Sequence, residues 1–174
     1  MSEATDLVRS RRLGWSLEQP FYVDPLYFQL DLEHVFRTGW LFAGHTCQIK
    51  EPGDYFCYDI ADDSLIIIRG NDRNVRALFN VCSHRGSLIC KTPKGHVKRL
   101  VCPYHQWTYD TDGSLLRNTW MPADFVNNDF NLTQAYVKTV AGLIYVSLAD
   151  VAPAFAPEED LKSLLEPHGL ERAK

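Results

Sequence analysis

The chain has 174 residues, with 18 Lys and Arg against 22 Asp and Glu for a formal net charge of −4, and 45% apolar residues. That is ordinary globular composition for one domain, and 12% aromatics supply core area, so intrinsic disorder, collagen, coiled-coil and low-complexity classes are excluded. No run approaches the roughly 18 apolar residues of a membrane-spanning helix, and the acidic balance argues against nucleic acid as the main partner.

Residues 1–23 are polar and then aromatic, ending in Gln19-Pro20-Phe21-Tyr22, and read as an extended arm. Met1 to Arg12 contain no apolar stretch of the kind a secretory signal needs. Asp24-Pro25 opens a short helix, because Asp caps and Pro suits the first turn; Leu30, Leu32, Val35 and Phe36 continue it to a stop at Gly39. The leucine and aromatic density predicts an arm docked on the core. From residue 40 the pattern changes to short strands: Tyr55–Ile60, Ser64–Arg69, Val75–Asn80, Arg99–Cys102 and Thr108–Asp110. Asp112-Gly113 marks a hairpin between Trp107–Asp110 and Ser114–Arg117, and Ala141-Gly142 separates Tyr136–Val140 from Leu143–Leu148. Many short strands without long intervening helices predict an all-β fold, an antiparallel sandwich or small barrel. Residues 151–157 read as a linker. A helix then begins at Glu158, Glu159 and Asp160, whose charges favour a helix N-terminus, with Leu161, Leu164 and Leu165 on one face and Pro167 and Gly169 at its end. The expected organisation is an arm over 1–39, a domain over 40–150, and a linker with a helix over 151–174.

Five cysteines, Cys47, Cys57, Cys82, Cys90 and Cys102, are an odd number at irregular spacing. This argues against a disulfide framework and for a reducing cytoplasm, where Cys clustered with His points to metal or catalysis. The informative cluster is Cys82-Ser83-His84, then seventeen residues, then Cys102-Pro103-Tyr104-His105. Each pair follows a predicted strand and so lies on a loop. Two thiolates and two imidazoles are enough to hold a metal centre. Zinc takes the same four donors, but structural zinc sites usually pair Cys with Cys and His with His, and C-x-H is tight for chelating a single ion. A catalytic Cys–His dyad would explain only half of the motif. Cys47, Cys57 and Cys90 read as small buried hydrophobes. His34, His45, His96 and His168 lack metal spacing. Arg85 suits a contact beside the ligands or a surface ion pair, and Trp107 suits a shield beneath the site.

The string Asn80-Val81-Cys82-Ser83-His84-Arg85-Gly86 with Cys102-Pro103-Tyr104-His105-Gln106-Trp107 resembles the Rieske [2Fe–2S] proteins, in which two His replace two Cys on one iron. Trp40-Leu41-Phe42-Ala43-Gly44-His45, Gly53-Asp54-Tyr55 and Asp112-Gly113-Ser114-Leu115 resemble further parts of the N-terminal domain of Rieske oxygenase large subunits. The resemblance covers roughly residues 15–150. It implies a Rieske-type β fold with a small cluster-binding subdomain, with Cys82 and Cys102 on one iron and His84 and His105 on the other. The respiratory branch has an extra Cys in each loop; Ser87 and Tyr104 stand at those positions here, which points to the oxygenase branch.

By that resemblance the chain relays single electrons from an NAD(P)H-dependent flavin or iron–sulfur reductase to a mononuclear non-haem iron. That iron, held by two His and a carboxylate, is expected only in a catalytic oxygenase domain or subunit, because no further paired histidines remain in this sequence. The family acceptor lies in a neighbouring subunit, which implies a ring such as a homotrimer. Gln19-Pro20-Phe21-Tyr22 with His105-Gln106-Trp107 resembles the group acting on quaternary ammonium compounds such as glycine betaine. A free-standing Rieske ferredoxin, which would lack the arm and the helix of residues 15–39, and a zinc-binding interaction module stand as the alternatives.

Overall fold

The computed structural model describes residues 2–122, 124–155 and 158–173. Its organising element is β3 (Asp63–Arg69), whose Leu65-Ile66-Ile67-Ile68 run is fully buried. Side chains alternate across a strand, so an unbroken apolar run needs cover on both faces. Ile66 and Ile68 pack into one core with Tyr55, Leu78, Trp107 and Tyr109. Leu65 and Ile67 pack into a second with Phe56, Ala77, Ile144 and Val146.

Around it lie β1 (Leu41–His45), β2 (Asp54–Ile60), β4 (Val75–Phe79), β5 (Lys94–His96), β6 (Leu100–Val101), β7 (Thr108–Tyr109), β8 (Leu115–Arg117), β9 (Gln134–Val140) and β10 (Leu143–Ser147). Seven form an antiparallel sheet in the order β1-β10-β9-β4-β3-β2-β5, and β6-β7-β8 form a small second sheet. The all-β expectation holds. The β9–β10 hairpin closes through Ala141 (φ 48°) and Gly142 (φ 84°), the positive-φ pair of a two-residue turn matching strand twist. The Asp112-Gly113 hairpin also forms, with Ser114 N donating to Asp112 Oδ1 at 2.9 Å.

Two strands escape the sequence reading. β5 is Lys-Gly-His, without β-branched or alternating residues; it is extended because it pairs with β2 at the sheet edge. β1 carries Ala43 and Gly44 mid-strand and is held by β10.

The N-terminal region corrects the extended-arm expectation. Residues Ser2–Arg9 form helix α1 and Pro20–Val23 a single turn, α2. The first is rich in good helix formers, and the second starts with Pro at its first position. The predicted helix at Asp24-Pro25 is present as α3 (Pro25–Asp31), with the Asp24 carboxylate accepting Leu26 N at 2.9 Å, and it widens into one π turn over Leu32–Phe36. Docking is narrower than the apolar density suggests. Tyr27 and Leu32 are buried, whereas Tyr22, Val23, Leu26, Phe28 and Val35 stay exposed.

After β10 the chain folds back. Phe155 sits edge-on against Trp40 and Tyr145, and Trp40 Nε1 donates to the Pro153 carbonyl at 2.9 Å. Ala156 and Pro157 of the expected linker lie outside the described residues. Helix α4 (Glu158–Leu165) begins where its acids predict, and Glu158 bridges Lys138 and Lys162. Its predicted leucine face is only partly used, since Leu164 is exposed. No helix among the described residues is long and apolar enough to cross a membrane.

Candidate metal centre

Cys82 and Cys102 each open a loop, and the two loops are built alike. In the first, Gly86 N donates to the Cys82 carbonyl at 2.9 Å and Cys82 N to the Ser87 carbonyl at 2.9 Å. In the second, Gln106 N donates to the Cys102 carbonyl at 3.0 Å and Cys102 N to the Trp107 carbonyl at 2.8 Å. Both turns need a residue with positive φ at the same place, Gly86 at 71° and Gln106 at 60°. A shared backbone frame therefore presents one Cys and one His from each side.

The loops bring all four predicted residues together. Both thiols are buried, and Cys102 is near enough to Cys82 to help raise its thiol pKa. The imidazoles of His84 and His105 meet edge to face with ring centroids 4.6 Å apart. His105 Nδ1 is buried and has no hydrogen-bond partner among the described residues, a state shared by His45 Nε2 and Trp107 Nε1. An orphaned imidazole nitrogen beside a second imidazole, on two loops that each also carry a buried thiol, is a donor set that fits metal, since a buried polar atom normally finds a partner. Burial, then the neighbouring His105 and Arg85, lower the His84 pKa and favour the neutral imidazole a metal requires. Burial raises the Cys82 thiol pKa, with Tyr109 opposing. Among the described residues no three His, Cys, Asp or Glu converge as they would on one ion. The donors form a thiol pair and an imidazole pair, the division that a two-iron cluster needs and a lone tetrahedral zinc does not.

The supporting residues are mostly invisible to motif reading. Asn80 is buried, and its side chain closes the first loop: Oδ1 accepts Ile89 N at 3.1 Å and Cys90 N at 2.8 Å, while Nδ2 donates to the Cys90 carbonyl at 2.8 Å. Tyr109 Oη accepts Ser83 N at 3.2 Å and lies 3.2 Å from Cys82 Sγ, so its own proton is free to point at sulfur. Burial, then Cys82, keep that hydroxyl protonated by raising its pKa. Thr119 Oγ1 donates to the His105 carbonyl at 2.6 Å. Tyr109 had a weak signal in its place on a predicted strand just past the second loop; Thr119 had none.

Trp107 is 0% exposed and stacks on His84 at 4.7 Å and 10°. Arg85 is exposed and makes no ion pair among the described residues, so the surface ion pair does not form, whereas its charge lies near enough to His84 to lower that imidazole's pKa. Of the three spare cysteines only Cys90 is buried, its thiol pKa pushed up to about 12 by burial; Cys47 and Cys57 are partly exposed. His45 is structural: its Nδ1 accepts Cys47 N at 3.0 Å, and Gly142 leaves room for its ring.

Residues 39–136 match the family described as Rieske [2Fe-2S] domain. The chain is 44% identical over 171 residues to the glycine betaine monooxygenase oxygenase subunit of Pseudomonas aeruginosa strain UCBPP-PA14, covering 97% of this chain and 40% of that protein. It is 34% identical over 134 residues to benzene 1,2-dioxygenase subunit alpha of Pseudomonas putida, covering 75% and 30%. Among solved structures, naphthalene 1,2-dioxygenase from Rhodococcus sp. superposes with a TM-score of 0.80 at 29% identity, over 93% of this chain and 38% of that one. The quaternary ammonium Rieske monooxygenase CntA with L-carnitine gives 0.80 at 26% identity, over 94% and 46%. The chain spans less than half the length of each of these relatives.

Proposed function

Because this chain belongs to the Rieske [2Fe–2S] domain family, we propose that it relays single electrons as the N-terminal part of an oxygenase large subunit. The carrying observation is the separation of donors into a buried thiol pair and an imidazole pair on two matched loops. Cys82 and Cys102 would hold one iron, and His84 and His105 the other. Bound there, the cluster supplies a one-electron acceptor and donor. The chain's own residues do the rest. Trp107 and the buried thiols keep water from the inner side. Tyr109 steadies negative charge on the Cys82 sulfur. The partly exposed His84 and His105 put the imidazole side nearer the surface, which makes it the exit for the electron.

The partners under this reading are a cytoplasmic NAD(P)H-dependent flavin or iron–sulfur reductase as donor and a mononuclear iron in a catalytic oxygenase domain as acceptor, within a homotrimer. The 44% identity to a glycine betaine monooxygenase subunit supports a quaternary ammonium substrate over an arene. Purification under anaerobic conditions should yield two irons and two acid-labile sulfides per chain. Stoichiometric zinc without sulfide would overturn the reading. His105→Ala should abolish the cluster's visible absorption, and a normal spectrum would reject that residue as a ligand.

A further inference from the structure

Two thiols outside the metal centre share one cavity. Cys57, on β2, and Cys90, just past the first cluster loop, both line a surface cavity of about 310 Å³. The chain brings them there by folding back: Cys57 N donates to the Pro93 carbonyl at 2.8 Å, so the segment after Cys90 runs alongside β2. Asn80 touches both residues. Its Nδ2 donates to the Cys90 carbonyl at 2.8 Å and lies 3.9 Å from Cys57 Sγ, while its Oδ1 accepts Cys90 N at 2.8 Å. The Cys57 thiol donates to the Thr92 carbonyl at 3.4 Å, in the same corner. Burial, and then charge on Cys57, push the Cys90 thiol up to about 12, so the two sulfurs lie near enough to act on one another. A role as small buried hydrophobes accounts for Cys90, but Cys57 is partly exposed. An accessible thiol beside a buried one is the pattern of an attacking and a resolving cysteine.

We propose that Cys57 and Cys90 form a reversible disulfide by exchange with a low-molecular-weight disulfide, a second redox site that ties the first cluster loop to β2. In the first step the Cys57 thiolate attacks one sulfur of the small disulfide; a mixed disulfide forms and one small thiolate leaves. The Cys90 thiolate then attacks Cys57 Sγ; the internal bond forms and the second small thiolate leaves. Two protein thiols are oxidised, one small disulfide is reduced to two thiols, and the protons given up by the cysteines end on the departing sulfurs. Excess small thiol reverses both steps. Burial, then Asp59, raise the Cys57 pKa, so the attacking thiolate is scarce at neutral pH and exchange is slow there. Asn80 carries the consequence. Two of its bonds hold Cys90 and a third holds Ile89 N at 3.1 Å, so a covalent tie at Cys90 fixes the far end of the loop that begins at Cys82. The proposal does not depend on which metal fills the neighbouring centre.

The test uses the metal-loaded chain, in which Cys82 and Cys102 are occupied, and oxidised glutathione as probe. The chain is equilibrated without air over a range of oxidised to reduced glutathione, then unfolded, alkylated and mapped by mass spectrometry. The Cys57 and Cys90 peptides should be joined, and both cysteines should escape alkylation together at one midpoint, while Cys47, the other partly exposed cysteine, should be joined to neither. Cys90→Ser should stop at one glutathione on Cys57, and Cys57→Ser should leave Cys90 free at every ratio. The rate of joining should rise about tenfold per pH unit from about pH 7 to about 8.5, as the thiolate fraction grows. In the joined form the amides of Ile89 and Cys90 should exchange hydrogen at least about tenfold more slowly. Both thiols alkylated at every ratio, a glutathione that stays on Cys57 of the parent chain at equilibrium, or Cys47 joined in place of Cys90 would overturn the disulfide. A rate indifferent to pH would overturn thiolate exchange as its route, and unchanged exchange at Ile89 and Cys90 would overturn the tie to the cluster loop.

Discussion

At the scale of single residues, the division of labour around the sulfurs follows from donor arithmetic. The Tyr109 hydroxyl accepts Ser83 N at 3.2 Å and lies 3.2 Å from Cys82 Sγ; once Cys82 ligates as a thiolate it has no proton to give, so the hydroxyl proton is the one that bridges the pair. A hydrogen bond to a ligating thiolate stabilises the more electron-rich, reduced state and so raises the reduction potential. Tyr109→Phe keeps the buried ring and removes only the proton. The midpoint potential by film voltammetry should therefore shift to more negative values with the visible spectrum retained; an unshifted potential would show that the proton does not reach the sulfur. The ligand-type residues themselves were legible in the sequence, because Cys and His are rare and their spacing is specific. Asn80 was legible only as part of a string. Its role depends on amides nine and ten residues away returning to its side chain, which local pattern does not reveal.

At the scale of elements, the twin loops and the turns are where sequence dictates geometry. Gly86 and Gln106 occupy equivalent left-handed positions, but only one is glycine. A Cβ at Gly86 would meet nothing within 4 Å, so Gly86→Ala should cost only the backbone term, about 1 kcal/mol in urea unfolding. Gln106→Gly relieves a similar strain but loosens the unfolded chain, for a net change within about 1 kcal/mol. A neutral Gly86→Ala would mean that the first loop can close without the left-handed turn. The other turns rest on carboxylates. Asp54 accepts Glu51 N, Asp72 is gripped by Arg76 and accepts Asn74 N, and Asp112 accepts the Ser114 hydroxyl and amide. These bonds hold each carboxyl below its ordinary 3.8. With the folded pKa depressed, the unfolded chain binds more protons between the two values. The contribution is present above about 4 and is lost as pH falls through that value and below. The thermal midpoint should fall slightly below about pH 6.5, where the unfolded chain protonates His84 before the folded one does, and drop further below about 4 as these carboxylates take up protons; a rise on acidification would contradict the assignment. Hairpins with Asp-Gly or Ala-Gly turns were readable from such local chemistry, whereas β5 was not, because its extension is imposed by its neighbour β2.

For the whole molecule, the two cores explain why the order of strands was harder to foresee than their existence. The sheet places β9 and β10 between β1 and β4, so its first strand is closed by its last. Patterning marks each as a strand but not as neighbours. The same closure sets the fate of the C-terminal segment, which reads in the sequence as a linker of small residues and proline. In the fold Phe155 is gripped by Trp40, just ahead of β1, by Tyr145 on β10, and by Lys138 on β9, whose ammonium lies 5.1 Å from the ring centroid. Two edge-on aromatic pairs contribute about 0.5–1.5 kcal/mol each, and the Trp40–Pro153 hydrogen bond about 1 more. Phe155→Ala removes the pairs and leaves the bond strained to hold alone. Where cleavage tracks the open population, limited proteolysis between Asp150 and Glu158 should accelerate about tenfold or more. The sheet amides should keep their hydrogen-exchange protection, because neither core contains Phe155. Equal cleavage rates in the two proteins would show that the segment is held by α4 and its Glu158–Lys138 bridge instead.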